Sequence, residues 1–161
     1  MIWAMLIFTM MIASMASMQT SSRSPVLALA VILVIFSSGL RYKTGYDFDA
    51  YESIHYAIAN GETLIGIEPG WIAFNTIALT FTSSPVGLFM LASLFIYGII
   101  GWVLHKESKH AAVALLAFLL QLHFYWESLS ILRQYMAIAL SFLAAYNWIS
   151  NRKVAFFSFV C

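Results

Sequence analysis

Apolar runs of helical length recur along this chain, and short polar segments separate them. Of its 161 residues, 62% are hydrophobic and only 9% are charged, whereas a soluble domain carries about 25% charged residues. A chain with so little charge cannot cover a water-facing surface, so the sequence predicts an integral membrane protein. The net charge of +1 gives no indication of nucleic-acid binding, and the single cysteine, Cys161, excludes an intrachain disulfide.

The predicted fold class is all-α, a polytopic transmembrane helix bundle that forms a single membrane domain over residues 1–161. One run reaches the length of about 20 residues that a helix needs to cross a bilayer. Shorter runs can cross where flanking side chains snorkel or the bilayer thins. The final run holds only eight residues, so we expect the chain to be an N-terminal fragment of a longer protein. The predicted spans lie near 2–18, 25–40, 85–104, 111–126 and 132–149, with a re-entrant or short span at 69–82 and a partial span at 154–161.

The orientation of the chain depends on whether the run at 69–82 crosses the membrane. If it crosses, the positive-inside rule places the first long connection, residues 41–68, in the cytoplasm. If it re-enters or lies in the interface, that connection is extracytoplasmic. The count of basic residues favours crossing. If the run crosses, six basic residues lie on the cytoplasmic side and two on the other; if it does not, the numbers are five and three. The run has only 14 residues, however, and they include Asn75, Thr76 and Thr80. Short elements at membrane depth are tolerated where protein buries them, so both topologies stay open.

The first long connection concentrates the charge of the protein, with five of the seven acidic residues between Arg41 and Glu68. A polar segment held between membrane spans is where a membrane protein usually keeps its chemistry, because charge in hydrocarbon is costly and is kept only where function requires it. Arg41 and Lys43 are followed by a glycine turn and then by Asp47 and Asp49 among tyrosines. Carboxylates with aromatic faces are typical of a sugar site. In a simpler interpretation, the cations snorkel, the tyrosines form an interfacial belt and Asp47 caps a helix. The two aspartates also fit the short D-x-D pattern of metal–nucleotide sites, which is a weak signal.

Residues 47–60 predict an amphipathic helix within this connection. Phe48, Tyr51, His55 and Ala59 fall on one stripe of the helix, and such a helix would lie along the membrane surface. We expect His55 to be an interfacial residue without a functional role.

Two further motifs carry candidate chemistry. Glu68 precedes a Pro-Gly turn and Trp71. It is either the N-cap of a helix, where an anion is favourable, or a general base or hydrogen-bonding partner for a sugar hydroxyl. Arg133 lies at or just inside a span, where it either snorkels to the interface or clamps a phosphate, because its planar fork matches phosphate oxygens. Gln134 adds a neutral donor beside it. No residue spacing resembles a zinc site or a nucleotide-binding motif, so we expect no metal and no cofactor.

In this order the motifs resemble the EpsG family, which is related to the Wzy-type polysaccharide polymerases of bacterial envelopes. The resemblance implies a multi-pass protein of the bacterial inner (plasma) membrane, a glycosyltransferase that polymerises lipid-linked oligosaccharide repeat units for exopolysaccharide, capsule or O-antigen. The reaction would take place on the outer face, which favours the topology with an extracytoplasmic first connection. The resemblance covers roughly residues 39–146 and rests on Gly39-Leu40-Arg41-Tyr42, Gly45-Tyr46-Asp47-Phe48 followed by Tyr51, Glu68-Pro69-Gly70-Trp71, and Leu132-Arg133-Gln134.

The resemblance also implies roles for particular residues. Asp47 or Glu68 would take the proton of the acceptor hydroxyl, and the choice between them is open. Arg133 together with Arg41 would stabilise the pyrophosphate leaving group. The other substrate-binding residues would be the aromatic and amide side chains of Tyr46, Tyr51, Trp71 and Gln134.

The implied partners are an undecaprenyl-pyrophosphate-linked oligosaccharide, the lipid bilayer and other polysaccharide-assembly membrane proteins. A lipid-linked glycan transporter or flippase is an alternative, but it would carry charge through its spans, and the run at 85–104 has none. A non-catalytic membrane protein fragment is the other alternative.

Overall fold

The computed structural model describes residues 23–120 and 122–149, and their regular structure is helical, with no strand among them. The predicted all-α class is therefore confirmed for this part of the chain. The predicted spans near 2–18 and 154–161 lie outside the described residues. The helices are α1 (Arg23–Gly39), α2 (Phe48–Ala59), α3 (Pro69–Leu79), α4 (Pro85–Glu107), α5 (Ala111–Leu120), α6 (Leu122–Ser130) and α7 (Leu132–Ile149).

Helix α4 is the centre of the fold. Its 23 residues extend over roughly 35 Å, which exceeds the bilayer core of about 30 Å. It is the one helix among residues 23–120 and 122–149 that is long and apolar enough to cross a membrane. Ser84 caps its start by accepting from the backbone N–H of Val86 at 3.4 Å, and Pro85 loses nothing there because first-turn N–H groups have no helical acceptor. Lys106 lies in the last turn, where a cation is favourable.

Helices α1 and α7 both pack against α4, and the contact with α1 is the more extensive. Gly101 allows the close approach of α1, because a Cβ at this position would lie 2.6 Å from Cγ2 of Val31. Between the same two helices, the buried hydroxyl of Ser93 donates to Ser38 Oγ at 3.0 Å. The helices around α4 therefore form the core against which the first long connection folds.

Helices α2 and α3 pack on the first half of α4. Phe48 of α2 stacks on Phe89 of α4 with ring centroids 4.8 Å apart, and Phe74 of α3 meets Phe95 edge-on at 6.1 Å. Helix α3 has 11 residues and is roughly 17 Å long, about half of the bilayer core. It is therefore too short to cross a membrane on its own.

A buried polar contact joins α2 to α3. Asn75 Nδ2 donates to the carbonyl oxygen of Trp71 at 2.9 Å, which leaves Asn75 Oδ1 to accept from His55 Nδ1–H at 3.0 Å. Both side chains are 0% exposed. The expectation of an interfacial His55 is therefore wrong, because the imidazole is buried. Asn75 supplies a partner for Nδ1, whereas Nε2 has none. Ala59, the last residue of the predicted stripe, is exposed.

Candidate functional site

The connection between α1 and α2 lies directly against the start of α7. Gly45 has a φ of +100° and lies so close to the α6–α7 junction that a Cβ would be 2.5 Å from the carbonyl oxygen of Leu129. Only glycine fits there without a shift of the backbone. The next residue, Tyr46, donates its backbone N–H to Ser130 Oγ at 3.3 Å. The motif that follows α1 and the motif that begins α7 are therefore neighbours.

Arg133 and Glu68 form an ion pair that joins the first turn of α7 to the residue before α3. Arg133 Nη1 donates to Glu68 Oε2, and the two side chains are 40% and 64% exposed, respectively. Both residues line an open groove of about 310 Å³, together with Gly70 and Trp71. The remaining wall of the groove is apolar and comes from α7, with Met136, Ala137 and Leu140. The groove therefore has one charged end and one apolar side.

The carboxylate of Glu68 is ionised at neutral pH. Its pKa is held below the ordinary value first by a hydrogen bond from its own backbone N–H and then by Arg133. Glu68 is the N-cap of α3, and its carbonyl oxygen accepts from the backbone N–H of Trp71 at 2.9 Å, but its side chain makes no capping bond. Such a carboxylate can take a proton from a bound hydroxyl, and the guanidinium beside it can hold an anionic oxygen.

Tyr51 and Trp71 lie beneath the groove rather than on its open surface. They are 2% and 5% exposed, respectively. Their rings pack against each other with centroids 5.3 Å apart, and Trp71 also stacks on Phe74 at 5.8 Å. The structure therefore leaves neither ring with a free face for a sugar, although Trp71 contributes to the wall of the groove.

Two other predicted substrate-binding residues are open to solvent. Tyr46 is 89% exposed, and its backbone is fixed by the bond to Ser130. Gln134 is exposed on the first turn of α7, next to Arg133 in the chain. Both side chains are free to meet a ligand that approaches from outside the helices.

Arg41 is buried, with 5% of its surface exposed. Its guanidinium lies over the ring of Phe89, 4.4 Å from the centroid, and none of its three nitrogens has a hydrogen-bond partner. Burial lowers the pKa of Arg41 to about 10, so the group keeps its charge at neutral pH. Tyr51 is close enough to act on the charge of both Arg41 and Arg133. Tyr51 is therefore a neighbour of both cations, but only Arg133 lines the open groove.

Asp47 lies away from the ion pair. It is half-buried at the start of α2, where its carbonyl oxygen accepts from the backbone N–H of Tyr51 at 3.0 Å, and its side chain makes no capping bond. It is not among the residues that line the groove. Of the two candidate bases, the structure brings Glu68 to Arg133.

His55 and Asn75 support the wall of the groove, a role that was not predicted for either residue. Asn75 holds the carbonyl oxygen of Trp71, a residue of the groove wall, and His55 ties Asn75 to α2. Two signals pointed to this contact. Asn75 interrupts an apolar run, and His55 lies one helical turn after Tyr51 on the stripe predicted to be apolar.

Both charged motifs lie within the part of the chain that matches a known protein family. The model of the EpsG family matches residues 25–161, a range that includes Arg41, Glu68 and Arg133. No curated protein and no solved structure matches the chain. Because the family match extends over well more than half of the sequence, the chain belongs to the EpsG family.

Proposed function

We propose that this protein polymerises lipid-linked oligosaccharide repeat units in the bacterial inner membrane, transferring glycan from undecaprenyl pyrophosphate to a hydroxyl of an acceptor sugar. Membership of the EpsG family supports a membrane protein of the polysaccharide-polymerase type. The observation that carries the proposal is the Glu68–Arg133 pair on the groove. It joins a carboxylate and a guanidinium, the two groups that this transfer needs.

In the proposed reaction, the carboxylate of Glu68 takes the proton of the acceptor hydroxyl. The acceptor oxygen forms a bond to the anomeric carbon of the donor sugar, and the bond from that carbon to the diphosphate oxygen breaks. The electron pair of the broken bond leaves with the diphosphate. Arg133 stabilises the negative charge that develops there, a contribution typically worth about 10²–10³ in rate.

Arg41 adds a second, buried positive charge near Tyr51. Its ionisable neighbours are tyrosines, which are neutral at pH 7, and no carboxylate among the described residues pairs with it. Charge acts over longer distances in a medium of low dielectric constant than in water. A buried, unneutralised cation therefore favours an anionic leaving group even without direct contact.

Exposed residues at the edge of the site would contact the sugars. Tyr46 offers an open aromatic face and Gln134 an amide. Tyr51 and Trp71 act as the rigid layer beneath them.

The proposal requires a multi-pass topology with the first long connection outside the cytoplasm. The short length of α3 supports this orientation, since an 11-residue helix covers only about half of a bilayer core. A reporter that works only outside the cytoplasm is expected to be active when it is fused after Gly61. A cytoplasmic result would rule out a site on the outer face.

The function is tested by the length of the polysaccharide in cells that carry the complete gene. Glu68→Gln is expected to leave single repeat units on the outer face, because the acceptor is no longer deprotonated. Glu62→Gln is the matched control, because Glu62 is an exposed acid of the same connection that does not line the groove. Long chains from Glu68→Gln cells would contradict a polymerase with this base. Repeat units trapped on the cytoplasmic face would instead indicate a transporter.

A further inference from the structure

The charged end of the groove is built from hydrogen-bond donors. Arg133 contributes its guanidinium. Gly70 is the second residue of α3, and its backbone N–H belongs to a first turn, where N–H groups lack helical acceptors. Trp71 also lines the groove, but its indole nitrogen is buried without a partner and is therefore not one of the donors that face a ligand. The positive end of the α3 dipole adds to this field.

One acceptor lies among these donors, and it belongs to the protein. The carboxylate of Glu68 bonds to Arg133 and lines the same groove. Its side chain is 64% exposed and makes no capping bond to α3. Glu68 thus holds the position that a negatively charged oxygen of a ligand would take.

We propose that Glu68 is a displaceable occupant of an oxyanion site formed by Arg133 and the N-terminus of α3, and that a phosphate group displaces it. The site itself is inferred from the donors of the groove. The identification of the phosphate as part of the lipid-linked donor rests on the proposed function.

The geometry allows the exchange. Glu68 and Arg133 are joined by one bond between two exposed side chains, and exposed pairs of this kind are weak. A diphosphate offers more charge and more acceptor oxygens than a carboxylate, and it can accept two parallel bonds from a guanidinium. The groove of about 310 Å³ also has room for a group larger than a carboxylate.

The exchange would couple donor binding to the activation of the base. While Glu68 is bound to Arg133, its lone pairs and its charge are engaged. When a phosphate takes Arg133, the carboxylate is released beside the bound donor, and it can then accept the proton of the acceptor hydroxyl. The order of binding would follow from this competition, with the donor first and the acceptor second.

The test measures binding of inorganic pyrophosphate and of a polyprenyl diphosphate to the purified chain in nanodiscs by isothermal titration calorimetry. Glu68→Gln is expected to tighten the binding of pyrophosphate about two- to fivefold, which corresponds to removal of a weak competing pair. Glu62→Gln removes the same charge from the same connection without touching the groove, so its affinity is expected to match the unmodified chain. Equal affinity in the two variants would overturn the proposal, as would weaker binding to Glu68→Gln.

The two ligands separate the possible sources of the phosphate. Tighter binding of the polyprenyl diphosphate supports the lipid-linked donor, whereas equal binding supports an oxyanion site that accepts free diphosphate. Binding of neither ligand overturns the site. The binding measurement involves no turnover, so its failure can be distinguished from a failure of the proposed function. Long polysaccharide chains in Glu68→Gln cells would contradict a polymerase that uses Glu68 as its base, and they would leave the binding site intact.

Discussion

Glu68 and Arg133 are 65 positions apart in the sequence, and they form a hydrogen-bonded ion pair at the edge of one groove. The pair joins the start of α3 to the start of α7. Each residue belongs to a motif of its own, and only the fold brings the two motifs together. The pairing turns two separate charged motifs into one candidate site.

Two replacements of Arg133 are expected to distinguish the effect of its charge on the transfer rate from the effect of its planar geometry. Arg133→Gln removes the charge and should lower the transfer rate about 10²–10³-fold, the typical cost of losing one donor to a developing anion. Arg133→Lys keeps the charge but loses the planar fork, so we expect an intermediate rate and shorter polysaccharide. Chains of normal length from both variants would show that Arg133 does not stabilise the leaving group.

Gly70→Ala is expected to stabilise the protein and to weaken its binding of pyrophosphate. A Cβ at position 70 meets no atom within 4 Å, so alanine fits and should stabilise α3 by up to about 0.5–1 kcal/mol. The added methyl group lies beside the first-turn N–H, however, and should weaken the binding of pyrophosphate. Gly98→Ala in α4 is the control, because its Cβ also meets nothing within 4 Å. Unchanged affinity in Gly70→Ala would show that no anion approaches this backbone.

Arg41→Met is expected to raise stability and lower activity. The guanidinium is buried with no hydrogen-bond partner, and replacing buried charge by apolar groups of similar size often stabilises a protein by about 1–4 kcal/mol. Thermal unfolding of the purified chain in detergent should show the gain, and polysaccharide length in cells should show the loss. A lower unfolding temperature would mean that the contact with Phe89 outweighs the cost of the buried charge.

His55 and Asn75 are expected to be energetically coupled. Either His55→Leu or Asn75→Leu leaves a buried polar partner unsatisfied, at a cost of about 1–3 kcal/mol. The double variant removes both groups, so its loss of stability should be smaller than the sum of the single losses. Thermal unfolding of the three variants measures this difference. Strict additivity would show that the 3.0 Å contact contributes nothing to the packing of α2 on α3.

The pH dependence of transfer should differ between the free and the donor-bound protein. In the free protein the pKa of Glu68 lies below its ordinary value because of its backbone N–H and Arg133, so this base is protonated at a lower pH than an ordinary glutamate. In the donor complex Arg133 is engaged by phosphate, and the pKa of Glu68 should rise. The acid limb of kcat should therefore lie at higher pH than the acid limb of kcat/KM, since these report the complex and the free enzyme, respectively. Coincident limbs in membrane assays would contradict the exchange.

The helices were largely predictable because their signals are local. A continuous apolar run opened by Pro85 marks the start of α4, and the helix only extends slightly further than predicted, to Glu107. The bounds of α7 coincide with the predicted run at 132–149. These features depend on periodicity and end signals within a few residues.

The environments of individual side chains were less predictable, because they depend on distant partners. Arg41 follows a span and was expected at an open site, but the connection folds inward against the α6–α7 junction and places it over Phe89. His55 was assigned to the interface because its partner, Asn75, comes 20 positions later. The motif around Arg41 does not indicate its contact with Phe89, and the signals for the His55–Asn75 contact lie in two separate segments of the sequence.

The close approach of Gly45 to the carbonyl oxygen of Leu129 has a consequence for the diversification of such a protein. Main-chain atoms, rather than adjustable rotamers, determine how far the tyrosine-rich connection lies from the arginine-bearing helix. Exposed positions such as Tyr46 could therefore be exchanged to suit a different monosaccharide while the spacing of the reactive charges stays the same. The sugar that the protein selects could then change in evolution without a change in the groups that carry out the reaction.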